Sequence, residues 1–86
     1  MDIIELIAIV KKKLKDQIEI ENVIVEDKSF LHKNHKGNNP GKFHLKIFLT
    51  SNELKKMSKI ESNKKIYKIL EEEMSQYIHS IQILIN

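Results

Sequence analysis

The fold is decided by the stretch Phe43-His44-Leu45-Lys46-Ile47-Phe48-Leu49-Thr50, in which apolar residues recur at every second position. Successive side chains of a β-strand point to opposite faces, so the odd-numbered residues, all apolar, would share one face of a sheet. The even-numbered residues, which include His44, would share the other. We therefore predict a strand over residues 42–50 that turns one face towards a hydrophobic core.

A second strand is predicted upstream, over residues 18–27, from its β-branched Ile and Val residues. Its alternation slips at Asn22-Val23, which a β-bulge or a late start of the strand would explain. Between the two strands, residues 28–41 contain both glycines and the only proline of the chain, a composition typical of a loop. The two strands should therefore pair as an antiparallel hairpin around a long loop.

Helices are predicted on either side of this hairpin. Residues 2–15 carry an apolar stripe at helical spacing, which consists of Ile3, Ile7, Val10 and Leu14. Ser51 is suited to cap a short helical turn, and either Ser58 or Ser62 is suited to begin a main helix that runs to about Tyr77.

The chain is predicted to end in a third strand over residues 79–85, in which His79 shares a face with the isoleucines at positions 81, 83 and 85. The resulting order, α-β-β-α-α-β, predicts a single α+β domain over residues 1–86. Its helices should pack on one face of a three-stranded sheet. A domain of this size has a small core and no room for a deep active-site cleft beside it.

The composition argues against several classes of function. The chain has no Cys, which excludes disulfides, thiolate zinc sites and a thiol nucleophile, so any iron–sulfur cluster would need sulfur ligands from a partner. No Gly-rich phosphate loop or nucleophile elbow is present. Glu71-Glu72-Glu73 would step around an exposed helix face without converging on one atom. We therefore expect a protein that is not an enzyme and has no catalytic residues.

The charge of the chain bears on its partners. Lysines provide all 15 basic residues and outnumber the 12 acidic ones, so the net charge is +3. Without Arg, bidentate recognition of guanine or phosphate is not available. The first residues carry acids and no basic segment, and no apolar run approaches the roughly 20 residues that span a bilayer. We expect a cytoplasmic protein (an organellar matrix is the eukaryotic alternative) that has no membrane partner and is monomeric when alone.

The histidines are the residues best suited to a chemical role such as metal binding. His32 and His35 lie in the predicted loop, where most histidines are simply solvated. His44 is expected on the solvent-facing side of its strand, and His79 is equally explained as a core histidine with a satisfied hydrogen bond. Neutral imidazole is also the commonest nitrogen ligand of transition metals, so the residues alone leave a metal site open.

Several segments, taken together, resemble one known family. They are Glu26-Asp27-Lys28-Ser29, the loop from His32 to Gly37, Phe43-His44-Leu45-Lys46-Ile47, Ile66-Tyr67-Lys68-Ile69-Leu70 and Ile78-His79-Ser80-Ile81. In this order and spacing they resemble the BolA-like family, and the Ile-His step after a Tyr-x-x-Leu helix is the most specific part. The resemblance implies a fold related to class II KH domains.

The resemblance also implies a function. BolA-like proteins bind monothiol (CGFS-type) glutaredoxins and share a 2Fe–2S cluster with them, in cluster trafficking or in iron and redox regulation. Glutaredoxin and glutathione would supply the sulfur ligands. This chain would supply His79 together with His32 from the loop, or His35 in its place. The isolated chain is then expected to bind no cluster.

The chain departs from the family pattern at several positions. Lys42 stands where relatives often have a histidine, and Ser62-Asn63-Lys64 replaces a basic step before the Tyr-containing segment.

The KH-like fold and bacterial relatives still leave a second function open, a nucleic-acid-binding transcriptional regulator in stress or morphology responses. No Gly-x-x-Gly clamp and no surface aromatics spaced for base stacking are present. DNA binding through lysines alone would be weak, nonspecific and steeply salt-dependent. The lysines available for phosphate contacts are Lys55, Lys56, Lys59, Lys64 and Lys65. A scaffold domain with merely satisfied histidines is the third alternative.

Overall fold

The structure is a computed structural model that describes residues 1–29 and 42–86. Along the chain its elements are α1 (Ile3–Gln17), β1 (Asn22–Asp27), β2 (Phe43–Thr50), α2 (Asn52–Lys55), α3 (Lys59–Ile69), α4 (Glu71–Gln76) and β3 (Ile78–Ile85). The predicted α+β fold is confirmed, since the strands form one three-stranded mixed sheet that packs against the helices. Within the described ranges, no helix is both long and apolar enough to cross a bilayer.

β2 lies in the centre of the sheet, between β1 and β3. β1 pairs with it in the predicted antiparallel direction, with Val25 opposite Ile47. β3 pairs with it in the parallel direction, with Leu45 beside Ile81. Parallel neighbours need a long crossover connection. The segment from α2 to α4 provides this crossover and returns the chain to the edge of the sheet.

The hydrophobic core lies between the helices and one face of the sheet. Leu45, Ile47 and Leu49 of β2 are each at most 2% exposed, which confirms the alternation that predicted this strand. The helices cover these side chains with their own buried apolar residues, which include Leu54, Ile66 and Leu70.

α1 begins at Asp2, whose Oδ1 accepts a hydrogen bond of 2.8 Å from the main-chain N–H of Glu5. Its buried face differs slightly from the predicted stripe, because Ile3 and Ile7 are only partly buried at its edge. The fully buried residues recur at every fourth position and are Leu6, Val10 and Leu14.

β1 begins four residues later than the predicted strand. Ile18 ends α1 by donating its N–H to the carbonyl of Leu14, and the N–H of Glu21 then bonds to the carbonyl of Thr50. Residues 18–21 therefore lead the chain into the sheet without belonging to β1. A late start of the strand, and not a bulge, explains the slip in alternation at Asn22-Val23.

Serine hydroxyls cap the two helices that follow β2. Ser51 Oγ accepts a hydrogen bond of 3.2 Å from the N–H of Leu54, as predicted for the short turn. Ser58 Oγ accepts one of 3.1 Å from the N–H of Glu61 and so begins α3. Ser62, the other candidate, is buried within α3 and donates to a main-chain carbonyl of the preceding turn.

The prediction of one main helix up to Tyr77 is wrong, because regular helical geometry is interrupted at Leu70, with φ of −98° and ψ of 16°. Neither Gly nor Pro marks this position in the sequence. The interruption places Glu71, Glu72 and Glu73 in the first turn of α4. Negative charge is favoured there by the helix dipole, whereas it would be unfavourable near the end of one long helix.

Glu73 is buried, so the expectation that the three glutamates lie on an exposed face is wrong for this residue. Its side chain is 6% exposed, and its Oε2 accepts a hydrogen bond of 2.6 Å from Lys13 Nζ. This bond raises the pKa of the Lys13 ammonium above its usual value. The pair joins α1 to α4 across 60 residues of sequence, a separation that local patterns do not reveal.

The stability of the fold should depend strongly on the buried face of α1. Leu14→Ala removes a fully buried side chain and should lower the free energy of unfolding by about 2–5 kcal/mol in urea denaturation. The matched control is Ile4→Ala in the same helix, because Ile4 is 79% exposed and its loss should change stability by less than about 0.5 kcal/mol. Equal effects of the two substitutions would contradict the described packing of α1.

Candidate functional site

β3 contains an extra residue at its start. Phe43 pairs with Ile78, but the next residue of β2, His44, pairs with Ser80, so His79 has no residue opposite it on β2. Ile78 is 1% exposed and belongs to the core, whereas His79 is exposed. The prediction that His79 shares a face with the isoleucines is therefore wrong, because the extra residue shifts the alternation of the strand.

His44 is only 6% exposed, so the expectation of a solvent-facing side chain is also wrong. Its ring nitrogen Nδ1 lies 2.7 Å from the hydroxyl oxygen of Ser80 on the neighbouring strand. Its main chain is held as well: its N–H donates to Ser29 Oγ at 3.1 Å, and its carbonyl accepts from the N–H of Lys28 at 2.7 Å. One hydrogen bond therefore holds the imidazole, and two more hold the main chain of the same residue.

The structure brings the rings of His44 and His79 together. Their centroids are 4.8 Å apart, and their planes are inclined by 50°. The sequence pattern had placed these residues on opposite faces of the sheet, so it offered no reason to pair them. The register shift at the start of β3 unites them, and it follows from contacts between β2 and β3 that only the folded chain makes.

Two of the three predicted metal ligands, His32 and His35, lie outside the described residues. Across residues 1–29 and 42–86, no group of three or more His, Cys, Asp or Glu side chains is arranged to hold a metal ion. In these parts of the chain the site consists of the imidazole pair of His44 and His79. A shallow depression of about 330 Å³ adjoins it, and its polar lining includes Lys28, Lys46, Ser80 and Gln82.

The lysines predicted to contact phosphates lie on α2, on α3 and in the turn between them. Lys55, Lys56, Lys59 and Lys64 are exposed. Lys65 differs, because it is only partly exposed and its Nζ donates a hydrogen bond of 2.7 Å to Glu53. This bond, with a second one from the N–H of Glu19, lowers the pKa of the Glu53 carboxyl. Lys65 is therefore already committed to an ion pair.

A groove of about 380 Å³ separates this turn from the end of β3. Lys55 and Lys59 stand on its helical side, and Ile83, Leu84 and Ile85 form its opposite wall. Among the predicted phosphate-binding lysines, these two line the groove. It lies near the carboxyl end of β3, whereas the two histidines lie near its amino end.

Comparisons with known proteins agree with this architecture. The family model of BolA-like proteins matches residues 14–86. The DNA-binding transcriptional regulator BolA of Haemophilus influenzae is 25% identical over 75 residues, which cover 87% of this chain and 70% of that protein. Two solved structures from Arabidopsis thaliana, the BolA domain of SufE1 and BolA1, each have a TM-score of 0.77 and 23% identity and cover 92% of this chain and 87% of theirs.

The chain therefore belongs to the BolA-like protein family. The solved structures support the fold, and the family match covers the end of α1, the later helices, the sheet and His79 near the start of β3.

The hydrogen bond between His44 and Ser80 should contribute measurably to stability. Ser80→Ala leaves a ring nitrogen of a buried histidine without this partner and should lower the free energy of unfolding by about 1 kcal/mol. Ser75→Ala is the control, because Ser75 is exposed and its substitution should be nearly neutral. Chemical denaturation of both variants measures the difference, and a neutral Ser80→Ala would contradict the bond.

Proposed function

We propose that this chain is a non-enzymatic adaptor that binds a monothiol glutaredoxin and contributes imidazole ligands to a 2Fe–2S cluster held between the two proteins. The observation that carries the proposal is the position of His79, exposed at the start of β3 and in contact with a second, firmly held imidazole. Membership of the BolA-like family supports the same role.

The donor chemistry of the chain fits a shared centre better than a resident one. Imidazole is a suitable nitrogen ligand for iron, and His79 is accessible to a partner. The chain has no thiolate, and its described residues offer no trio of metal ligands, so the sulfur ligands must come from glutaredoxin and glutathione. His32, with His35 as the alternative, is the proposed ligand from the loop.

The other residues of the site would support His79. His44 and Ser80 restrict the space in which the His79 ring moves, because His44 is fixed by its own hydrogen bonds. Lys28 and Lys46 give the adjoining depression a positive charge that suits the carboxylates of glutathione. The cluster, when bound, supplies a one-electron centre, and histidine ligands raise the reduction potential of such centres.

The proposal is tested by visible circular dichroism. Under anaerobic conditions the chain is added to a glutathione-loaded monothiol glutaredoxin that carries a 2Fe–2S cluster. We expect the cluster spectrum to change with the unsubstituted chain and to stay unchanged with His79→Ala, because the histidine ligand is lost. His32→Ala and His35→Ala, measured separately, identify the loop ligand by the same loss.

Lys12→Gln is the control for these variants, because Lys12 is an exposed residue of α1 that does not line the depression, and its substitution should leave the spectral change intact. Far-UV circular dichroism checks that each variant is folded. A cluster spectrum that does not respond to the unsubstituted chain would contradict the adaptor function, and retention of the response in His79→Ala would contradict the ligand.

The groove beside β3 favours a second candidate function, the binding of DNA by a transcriptional regulator. Lys55 and Lys59 line this groove, and Lys56 and Lys64 are exposed nearby. The relative from Haemophilus influenzae is named as a DNA-binding transcriptional regulator, which supports this alternative. Binding would rely on charge, because lysines approach phosphates as point charges without reading bases.

The salt dependence of DNA binding tests this alternative. If the groove binds duplex DNA, Lys59→Gln should weaken binding to all sequences and reduce the slope of log K against log salt by about 1. Lys12→Gln is the control, because Lys12 is an exposed residue of α1, outside the groove. Fluorescence anisotropy between 50 and 200 mM salt, a range of roughly physiological strength, measures both slopes. Equal slopes for the two variants would contradict a site in the groove.

A further inference from the structure

The outer edge of β3 is open along its carboxyl half. β3 lies at the edge of the sheet, with β2 as its only neighbour among the described strands. Asn86, just after β3, donates its N–H to the carbonyl of Leu49, and its carbonyl accepts from the N–H of Ser51. Main-chain groups alternate between the two sides of a strand, so those of Ile83 and Ile85 point away from β2. The described parts of the chain give these outward groups no hydrogen-bond partner.

The sequence leaves this part of the edge without protection. Exposed edge strands usually carry a lysine, a proline, a bulge or a covering side chain, which prevents unintended pairing. In β3 the register shift lies at the amino end, and the Tyr67 hydroxyl covers the carbonyl of Ile81 at 3.4 Å. From position 81 to 85 the chain reads Ile-Gln-Ile-Leu-Ile, without a charge or a proline. The carboxyl half of β3 is therefore suited to accept a further strand.

The groove beside this edge has apolar walls. Ile83 and Ile85, both half-buried, line it from the strand, and Leu54 and Met57 line it from the helical side. A strand added to the edge would turn every second side chain towards the helices, into this groove. Apolar side chains of that strand would gain free energy from burial between the two walls.

The charge of the groove is positive. Lys55 and Lys59 line it, and among the described residues no Asp or Glu does. Neither ammonium group forms an ion pair within residues 1–29 and 42–86. We propose that this edge and groove bind an extended acidic segment of another protein as a fourth strand. Its main chain would pair with Ile83 and Ile85, its apolar side chains would fill the groove, and its carboxylates would contact the two lysines.

Two other occupants fit the groove less well. A second copy of this chain would offer its own β3, Ile78–Ile85, which has no acidic residue, so pairing would bring lysines together without a carboxylate from either strand. DNA would offer phosphates to the lysines, but it would not match the outward N–H and carbonyl groups of the strand. No aromatic side chain of the described residues lines the groove to stack on a base.

The experiment uses the full chain, labelled with ¹⁵N, and a synthetic peptide of 8 residues, the length of β3. The peptide repeats Val-Val-Glu-Glu and has blocked ends, so both residue types lie on each face of an extended strand. NMR titration follows the main-chain amides. We expect one peptide per chain, shifts of the Ile83 and Ile85 amide resonances, and hydrogen exchange of these two amides slowed by at least about tenfold.

Three control peptides separate the parts of the proposal. One is N-methylated at every main-chain nitrogen and cannot donate to a neighbouring strand, one has Lys in place of Glu, and one has Ser in place of Val. Each should bind at least about tenfold more weakly than the acidic peptide, because it lacks the main-chain donors, the negative charge or the apolar side chains respectively.

Charge reversal in the chain locates the site. Lys55→Glu/Lys59→Glu should weaken binding of the acidic peptide by more than about tenfold, because both contacts with its carboxylates become repulsive. The matched control is Lys12→Glu/Lys15→Glu, which changes the net charge equally at two exposed residues of α1 outside the groove and should bind nearly as well as the unsubstituted chain. Far-UV circular dichroism checks that both variants are folded.

Several results would overturn the proposal. They are no binding at about 1 mM peptide, equal binding of the N-methylated or the Ser-containing peptide, and equal effects of the two double variants. Protection of the Ile83 and Ile85 amides by duplex DNA but not by the peptide would assign the groove to DNA. Protection in the chain alone, with sedimentation as a dimer, would assign the edge to a second copy.

The proposal goes beyond the adaptor function and does not rest on it. The residues that line the groove are separate from those that line the depression beside His44. A chain that binds the acidic peptide but leaves the cluster spectrum of glutaredoxin unchanged retains the fourth strand and contradicts the adaptor. The opposite pair of results retains the adaptor and contradicts the fourth strand.

Discussion

The pairing of β2 with β3 positions both the core residues of β3 and the two histidines of the candidate site. Ile78 and Ile81 both pack with the core, yet they are three residues apart, and residues at that spacing in a regular strand point to opposite faces. Both can face the core only if one additional residue is accommodated between them. The register shift beside His44 accommodates this additional residue. It is His79, which has no paired residue on β2. Burial of an Ile side chain is worth about 1.5–3 kcal/mol, which favours this arrangement over a regular strand with Ile78 in solvent.

The same constraint explains why two imidazoles meet outside the core. His44 lies on the face of β2 opposite the buried residues Leu45 and Ile47, and the register shift leaves His79 beside it. Because β2 is the central strand, His44 has neighbours on both sides. Ser29, which follows β1, bonds to its main chain, and Ser80 of β3 bonds to its ring. The result is an exposed imidazole next to one that cannot easily move.

The two proposed functions use opposite ends of β3. His79 is at its start, and the lysine-lined groove is beside its last three residues, roughly 13–20 Å away at about 3.3 Å per residue. The residues that line the groove and those that line the depression beside His44 do not overlap, so each end can be substituted without changing a residue of the other. One strand thus has an imidazole pair at one end and a lysine-lined groove at the other, and the two can be examined separately.

The sequence by itself determined the elements whose patterns are local. The alternation in residues 43–50 predicted the central strand, Ser51 predicted where α2 begins, and collinear motifs predicted the BolA-like fold. For α3 the sequence left two candidate caps, of which the structure uses Ser58. Only the tertiary structure decided the burial of His44, the position of His79 beside it, the break at Leu70 and the burial of Glu73 against Lys13. The physical reason is the separation along the chain between the residues that interact. Capping and alternation depend on residues within one turn or one strand, whereas a register shift or a buried ion pair depends on contacts between segments far apart in the chain, and these exist only after the core has formed.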